Sequence, residues 1–269
     1  MPRLAVIGYP VGHSRSPAMQ NAALAELGLT EEWEYGAVEA APEEFEARVR
    51  ELAGEGYAGA NVTVPHKEAA LALADAASEA ATQIGAANTL TFAPGAETGV
   101  PTIAADNTDA GGLLASLPSS PRGKRALVLG AGGAARAVIW ALAHEGAEVE
   151  VWNRTAERAA TVAAELGGVA VTDPDPAGQE LIVNTTAVGL RGEDPFEQLP
   201  LAPDDFKSDQ VVVDMVYGER PSALLAAAEA AGANTVDGLE ILVQQGALSL
   251  EIWTGRKAPL AAMRAVARG

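Results

Sequence analysis

The stretch Arg125-Ala126-Leu127-Val128-Leu129-Gly130-Ala131-Gly132-Gly133-Ala134-Ala135, continuing through Arg136 to His144, decides the fold. Arg125–Leu129 is a short apolar run and predicts a strand; Ala134–His144 predicts a helix, closed by Gly146 just past its end. The six residues from Gly130 to Ala135 fit G-x-G-x-x-G/A. In an Ala- and Gly-rich chain that string is weak by itself, and an ordinary strand–helix turn is the plainer explanation. Here it stands between strand and helix, where small residues let the backbone turn tightly and approach a pyrophosphate. The helix N-terminus then offers unpaired N–H groups and the positive end of its dipole. That context favours a dinucleotide loop.

Working outward, Glu148–Trp152 is the next strand. Glu150 has about the spacing of the acidic residue that holds the ribose 2′-OH in NAD sites, yet it lies inside the strand. The residues leaving the strand are Asn153-Arg154-Thr155, with Arg158 one turn on. Guanidinium groups there suit a 2′-phosphate, which favours NADP. Leu181–Asn184 and Val211–Met215 are further buried strands, and the chain is helical from Leu239, broken near Gly255 and Pro259. Before the loop, Ser119–Gly123 reads as a linker. The first half has strands at Leu4–Ile7, Trp33–Val38, Ala60–Val64, Ala87–Phe92 and Thr102–Ala105, the last two flanking a Gly/Pro turn. Helices are expected from Ser16, as N-cap, to about Leu27, over Pro42–Ala53, and from Pro65. Strands alternating with helices predict an α/β protein with parallel sheets.

Composition narrows the function. At 269 residues, 48% hydrophobic and 20% charged, the chain is globular rather than disordered. Cysteine is absent, which excludes disulfides, thiolate metal sites and cysteine nucleophiles. The net charge of −18 repels a nucleic-acid backbone. No apolar run reaches membrane-span length and the first residues lack a signal-peptide h-region, so a cytoplasmic location without a membrane partner is expected. The three histidines, His13, His66 and His144, have no partners at metal-ligand spacing, and no metal is expected. There is no G-x-S-x-G elbow.

Polar clusters gather at strand ends in the first half. Ser14 and Ser16 flank Arg15 at a helix start; they suit a carboxylate or a polyol, although capping alone explains Ser16. Asn61 and Thr63 alternate onto one face, and Lys67 follows in the first turn of a helix, where the dipole disfavours a cation. Such a lysine is tolerated for function more readily than for stability, against the plainer reading of a surface side chain. Asn88-Thr89 and Asp106-Asn107-Thr108-Asp109 add two more clusters, each also explicable as turn chemistry. Together they exceed what turns require, and ligands of α/β sheets bind beyond the carboxyl ends of strands.

Taken jointly, these segments resemble the shikimate dehydrogenase family. The similarity runs through Gly8-Tyr9-Pro10, Ser14–Pro17, Asn61–Lys67, Ile84–Thr89, Asn107–Asp109, Gly130–Ala134, Asn153–Thr155, Asn184–Thr186, Asp214–Tyr217, Gly238–Gly246 and Trp253–Gly255. The resemblance implies a substrate domain over residues 1–108, completed by helices of 239–269, and a Rossmann-type NADP domain over 109–238. It implies reduction of 3-dehydroshikimate to shikimate with NADPH, in aromatic amino acid biosynthesis. Lys67 and Asp109 become the catalytic pair, with Lys67 as proton donor. Ser14, Ser16, Thr63, Asn88, Tyr217 and Gln245 become substrate contacts. Gly130, Ala131, Gly132, Gly133, Ala134, Asn153, Arg154, Thr155, Arg158, Met215 and Gly238 line the cofactor. The chain departs from the family's commoner residues at Gln20, Glu240 and Ile241, and in the longer, more charged run Tyr217–Pro221.

Three rivals share the fold: a quinate/shikimate dehydrogenase using NAD or NADP, an enzyme of amino-shikimate analogues, and a non-catalytic NADP-binding regulator. A regulator is expected to lose Lys67 or Asp109, and both are present. Relatives that accept quinate typically replace one of the two serines, and here both stand. A monomer or a homodimer is compatible with everything above.

Overall fold

The computed structural model describes residues 2–95, 99–218 and 221–269. The middle of the Gly/Pro turn and the Glu219-Arg220 part of the unusual run lie outside them. The chain divides into two compact units, Met1–Gly112 with Leu242–Gly269, and Leu113–Ile241.

In the first unit the strands are β1 (Arg3–Gly8), β2 (Glu34–Glu39), β3 (Tyr57–Val62), β4 (Ala76–Ala77), β5 (Thr89–Ala93) and β6 (Thr102–Asp106). They form one sheet in the order β2-β1-β3-β5-β6-β4. β1 runs parallel to β2 and β3, and β4 to β6, but β5 is antiparallel to both β3 and β6. The expectation of parallel sheets is thus corrected for this unit. The connection 94–101 between β5 and β6 is shorter than the dozen or so residues a parallel crossover needs, so the two form a hairpin.

The early helices are α1 (Ser16–Glu26), α2 (Phe45–Gly54), α3 (Lys67–Ala72), α4 (Glu79–Ile84) and α5 (Asp109–Ser116). α3 starts at Lys67 rather than Pro65. The Val64–Pro65 peptide is cis, and the His66 amide closes a turn onto the Thr63 carbonyl at 3.0 Å before the helix begins. Strand alternation sends side chains to two cores. Leu4 and Val6 pack with Met19, Leu24 and Tyr35 on one face; Ile7, Ala60 and Val62 pack with Phe45, Val49 and Leu52 on the other.

The second unit holds β7 (Arg125–Leu129), β8 (Glu148–Trp152), β9 (Val169–Ala170), β10 (Leu181–Asn184), β11 (Val211–Asp214) and β12 (Asn234–Asp237), with α6 (Gly133–His144), α7 (Ala156–Leu166), α8 (Pro195–Gln198) and α9 (Ala223–Ala230). The sheet is parallel throughout, in the order β12-β11-β10-β7-β8-β9. That is the doubly wound dinucleotide-binding order, with its switch point between β7 and β10. β7 is buried on both faces: Ala126 and Val128 pack with Val138, Ile139 and Leu142 of α6, while Leu127 and Leu129 pack with Ile182, Val212 and Leu224. Each fully buried leucine contributes about 1.5–3 kcal/mol. Two final helices, α10 (Gly238–Thr254) and α11 (Leu260–Arg268), complete the chain. Their Val243, Leu250 and Met263 join the core of the first unit. Among the described residues no helix is long and apolar enough to cross a membrane.

Candidate active site

One edge of the first sheet collects the polar clusters. The carboxyl ends of β1, β3 and β6 lie there, and the reversal of β5 brings its amino end to the same edge. Asn61 pairs with Thr89, and Thr89 with Asp106. Asn88 therefore precedes its strand instead of lying on it.

Lys67 opens α3. Its neighbour His66 is buried, bonds the Ala40 carbonyl through Nε2 at 2.8 Å, and stacks on Phe45 at 4.3 Å. This anchor fixes the backbone beside Lys67, whose own carbonyl accepts the Ala87 amide at 2.8 Å. Asp109 opens α5, where the Asn107 side chain caps the helix by accepting the amides of Asp109 and Ala110 at 3.1 and 3.4 Å. The dipole of α5 favours the Asp109 charge. Lys67 Nζ meets Asp109 Oδ2 at 2.6 Å, with the two side chains only 12% and 6% exposed. Buried charges persist when paired and hydrogen-bonded. The second oxygen, Oδ1, accepts Asn88 Nδ2 at 2.9 Å.

Asn88 is held on every side. Its Nδ2 also reaches Gln245 Oε1 at 3.1 Å and Thr108 Oγ1 at 3.0 Å, and its Oδ1 accepts the Thr108 amide at 2.7 Å. Gln245, on α10, donates from Nε2 to the Leu242 carbonyl at 2.9 Å. α10 can approach because α5 carries Gly112: a Cβ there would lie 2.7 Å from Gln245 Cβ. The structure thus brings Lys67, Asn88, Asp109 and Gln245 into one hydrogen-bonded group.

Ser14 and Ser16 lie beyond the end of β1. The capping expectation is corrected: Arg15 is the N-cap of α1 and Ser16 is its first residue. The Ser14 hydroxyl accepts the Ser16 amide at 3.2 Å, so Ser14 is the one engaged in local capping. Arg15 is already in helical backbone conformation, and its guanidinium donates to the Ala267 carbonyl of α11 at 2.6 Å. Thr63 follows β3, its methyl against Gly8. Tyr217, partly buried, belongs to the second unit, on the chain after β11.

At the switch point of the second sheet, Gly130 has φ +120° and would place a Cβ 2.4 Å from Thr185 Oγ1, so only glycine fits. Gly132 is the N-cap of α6, with nothing within 4 Å of a Cβ built on it. No side chain caps α6 and its first turn carries no acidic residue. Gly133 and Ala134 open the helix and Ala131 is buried beneath the loop. An open, uncapped helix N-terminus beside a tight glycine turn fits a pyrophosphate. Asn153 Nδ2 bonds the Thr155 carbonyl at 2.9 Å and shapes the loop leaving β8. Arg154 and Arg158 are exposed and belong to none of the ion pairs among the described residues. Glu150 accepts Gln179 Nε2 at 3.0 Å and is committed there. This donor set fits a phosphorylated ribose. Gly238 packs on Met215, a Cβ there meeting the Met215 carbonyl oxygen at 2.4 Å.

The ends of β10 and β11 are joined by a buried network absent from the sequence reading. Asp214 accepts Asn184 Nδ2 at 2.9 Å, the Val216 amide at 3.0 Å and Ser222 Oγ at 2.5 Å. Burial pushes the Asp214 carboxyl up, and these three hydrogen bonds pull it back. Its folded pKa is above the unfolded value, so its contribution to stability is fully present below the unfolded pKa and is lost as pH rises through the folded one. Ser222→Ala removes a donor to the ionised form and is expected to destabilise by about 1–3 kcal/mol. The loss should be larger at neutral than at acidic pH. Denaturant unfolding at both checks this, and a loss that does not grow with pH contradicts it.

Comparison with known proteins follows the same division. The family model for the shikimate dehydrogenase substrate binding domain matches residues 6–90. Those for shikimate / quinate 5-dehydrogenase and the shikimate 5′-dehydrogenase C-terminal domain match residues 114–178 and 238–268. The shikimate dehydrogenase (NADP(+)) of Methanopyrus kandleri is 44% identical over 276 residues, covering 96% of this chain and 92% of that protein. Its counterpart in Moorella thermoacetica is 40% identical over 281 residues, covering 98% and 92%. The crystal structure of shikimate 5-dehydrogenase from Thermus thermophilus, in complex with NADP(H) and shikimate, superposes with a TM-score of 0.88 at 42% identity, covering 100% of this chain and 99% of that one. With identity of this order along its whole length, and the same architecture, the chain belongs to the shikimate dehydrogenase family.

Proposed function

We propose that the chain catalyses the NADP-dependent, reversible reduction of 3-dehydroshikimate to shikimate, with Lys67 and Asp109 as its catalytic pair. The observation that carries this reading is the 2.6 Å contact between two nearly buried, oppositely charged side chains at a sheet edge lined with hydroxyls and amides. NADPH, once held by the glycine turn of the second unit, would supply the hydride for the substrate carbonyl carbon. The Lys67 ammonium stabilises negative charge developing on the carbonyl oxygen and delivers the proton to it. Asp109 holds that ammonium in place and accepts from a substrate hydroxyl, while Asn88 fixes the carboxylate through Oδ1. Ser14 and Ser16 take the substrate carboxylate; Thr63, Asn88, Gln245 and Tyr217 are the further substrate contacts that the family resemblance implies.

For the cofactor, Gly130–Ala134 and the N-terminus of α6 hold the pyrophosphate, Asn153–Arg158 the 2′-phosphate end, and Met215 and Gly238 the remainder. The substrate domain is the unit carrying Lys67, completed by the last helices, and the NADP domain is the one carrying Gly130. The net charge of −18 supports an enzyme of small molecules with no nucleic-acid partner. We place it in the cytoplasm, away from membranes, as a monomer or homodimer.

The test is steady-state turnover with NADP on shikimate and on quinate. Quinate adds one hydroxyl at the carbon bearing the carboxylate, and a pocket rejects an added hydroxyl by about 10²-fold. A kcat/KM for shikimate higher by that order is expected. Equal values, or a higher value for quinate, overturn the assignment.

A further inference from the structure

We propose that Tyr35 is a positioning residue for the catalytic pair, acting through a buried chain of hydrogen bonds, Tyr35–Asn61–Ser249–Thr108–Asn88–Asp109. The inference rests on the assignment of Asp109 and Lys67 made above and extends it into the core of the first unit.

The links are short and buried. Tyr35 Oη meets Asn61 Oδ1 at 2.7 Å, and Asn61 Nδ2 meets Ser249 Oγ at 2.8 Å. Ser249 Oγ lies 3.0 Å from Thr108 Oγ1 and 2.9 Å from Thr89 Oγ1. Both threonine hydroxyls reach Asn88 Oδ1, at 3.2 and 3.1 Å, and Asn88 Nδ2 ends on Asp109 Oδ1. Ser249 and Tyr35 are 0% and 2% exposed.

Chemistry dictates the direction of the links at the two amides. Asn88 Nδ2 faces a carboxylate, which only accepts, and Asn88 Oδ1 faces the Thr108 amide, which only donates. Asn61 Nδ2 faces the Asn88 backbone carbonyl at 3.2 Å, which only accepts, so Asn61 Oδ1 must face Tyr35. Tyr35 therefore donates its hydroxyl hydrogen. Burial holds that phenol well above its ordinary pKa and keeps the hydrogen in place. Between the two oriented amides, the single Ser249 hydrogen is shared among the Gln245 backbone carbonyl at 3.1 Å and the hydroxyls of Thr89 and Thr108, so the phenol and the Asp109 carboxylate that holds Lys67 are the two ends of one connected network. Hydrogen bonds linked in a low-dielectric interior polarise one another. Without the phenol, Asn61 Oδ1 loses its donor, and the amide that donates to Ser249 is held less firmly.

The ring itself is clamped independently. It lies 6.3 Å from the Trp253 ring, and the Tyr35 backbone makes two hydrogen bonds to Asn21. Tyr35→Phe therefore deletes one oxygen and leaves the packing.

The experiment measures kcat, both KM values and thermal midpoints for Tyr35→Phe, Ser249→Ala and the double variant, with kcat taken per NADP-binding site. Tyr35→Phe is expected to lower kcat about three- to tenfold, the range of one lost hydrogen bond, with the KM for NADP unchanged. The double variant should fall no further than the worse single one, because both cut the same chain. Should Ser249→Ala fail to fold, Tyr35→Phe decides alone: a lowered midpoint with wild-type kcat shows a merely structural hydroxyl and overturns the proposal. Losses that multiply in the double variant overturn it as well. Lys67→Ala separates the two levels. Full activity in that variant sinks the catalytic assignment, whereas inactive Lys67→Ala beside fully active Tyr35→Phe sinks only the chain.

Discussion

Lys67→Ala is expected to lower kcat by about 10²–10⁴-fold, the contribution of a positioned general acid, while KM and NADP affinity stay close to their starting values. The structure makes this a sharp expectation. Nζ is spent on one contact, the 2.6 Å bond to Asp109 Oδ2, at the entry of a six-residue helix where a cation works against the dipole. A lysine kept only for stability has little to gain there. Truncation also leaves the Asp109 charge with Asn88 as its remaining side-chain donor, and removing one partner of a buried pair costs about 3–5 kcal/mol. Lys67→Met keeps more of the stem and separates the two effects: the midpoint partly recovers and kcat does not. A variant of either kind that turns over at near the starting rate would remove Lys67 from the chemistry.

Arg154→Ala is expected to weaken NADP binding by roughly ten- to a hundredfold and NAD binding little. A charge-assisted bond contributes about 1.5–3 kcal/mol. Arg154 is exposed on the loop leaving β8, outside every ion pair among the described residues, so its guanidinium has no competing carboxylate to leave. Glu150, the acidic residue placed to suit an NAD ribose, is tied to Gln179. Titration of both nucleotides against both proteins reads the difference. Equal losses would make Arg154 a structural residue of the loop. Arg158 lies one helical turn further on and is expected to add a smaller share.

The two units were legible to different depths. In the second, the apolar run, the glycine turn and the helix that follows are local in sequence. Gly130 with positive φ at the end of β7 and Gly132 at the start of α6 stand where the spacing put them. Local pattern suffices because a parallel strand buried on both faces is a continuous apolar string, and its turn chemistry sits in the next few residues. The Asn184–Asp214–Ser222 network escaped the same reading, since its members come from separate strands and a helix cap.

The first unit shows the limit. Its residue types alone marked the hydroxyls, amides, Lys67 and Asp109 as a polar set at strand ends. Residue type cannot say that β5 runs backwards, and that reversal puts Asn88 beside Asp109. Nor can it say that Gln245 and Ser249, one helical turn apart on α10, return across more than a hundred residues to the same group. Ser249 carries a trace in sequence, four residues after Gln245 on one helix face, but a serine among apolar neighbours reads as nothing in particular. Tyr35 carries none: an aromatic on a strand is core by every local rule, and only its 2.7 Å contact with Asn61 shows where its hydroxyl goes. The sequence by itself determined the long apolar strands, the dinucleotide turn and the chemical types of the site, while the short strands β4, β9 and β12 and the helices α7 and α9 went unread. The tertiary structure alone decided which side chains meet, because hydrogen-bond partners are set by strand direction and helix approach, and neither is written in any single segment.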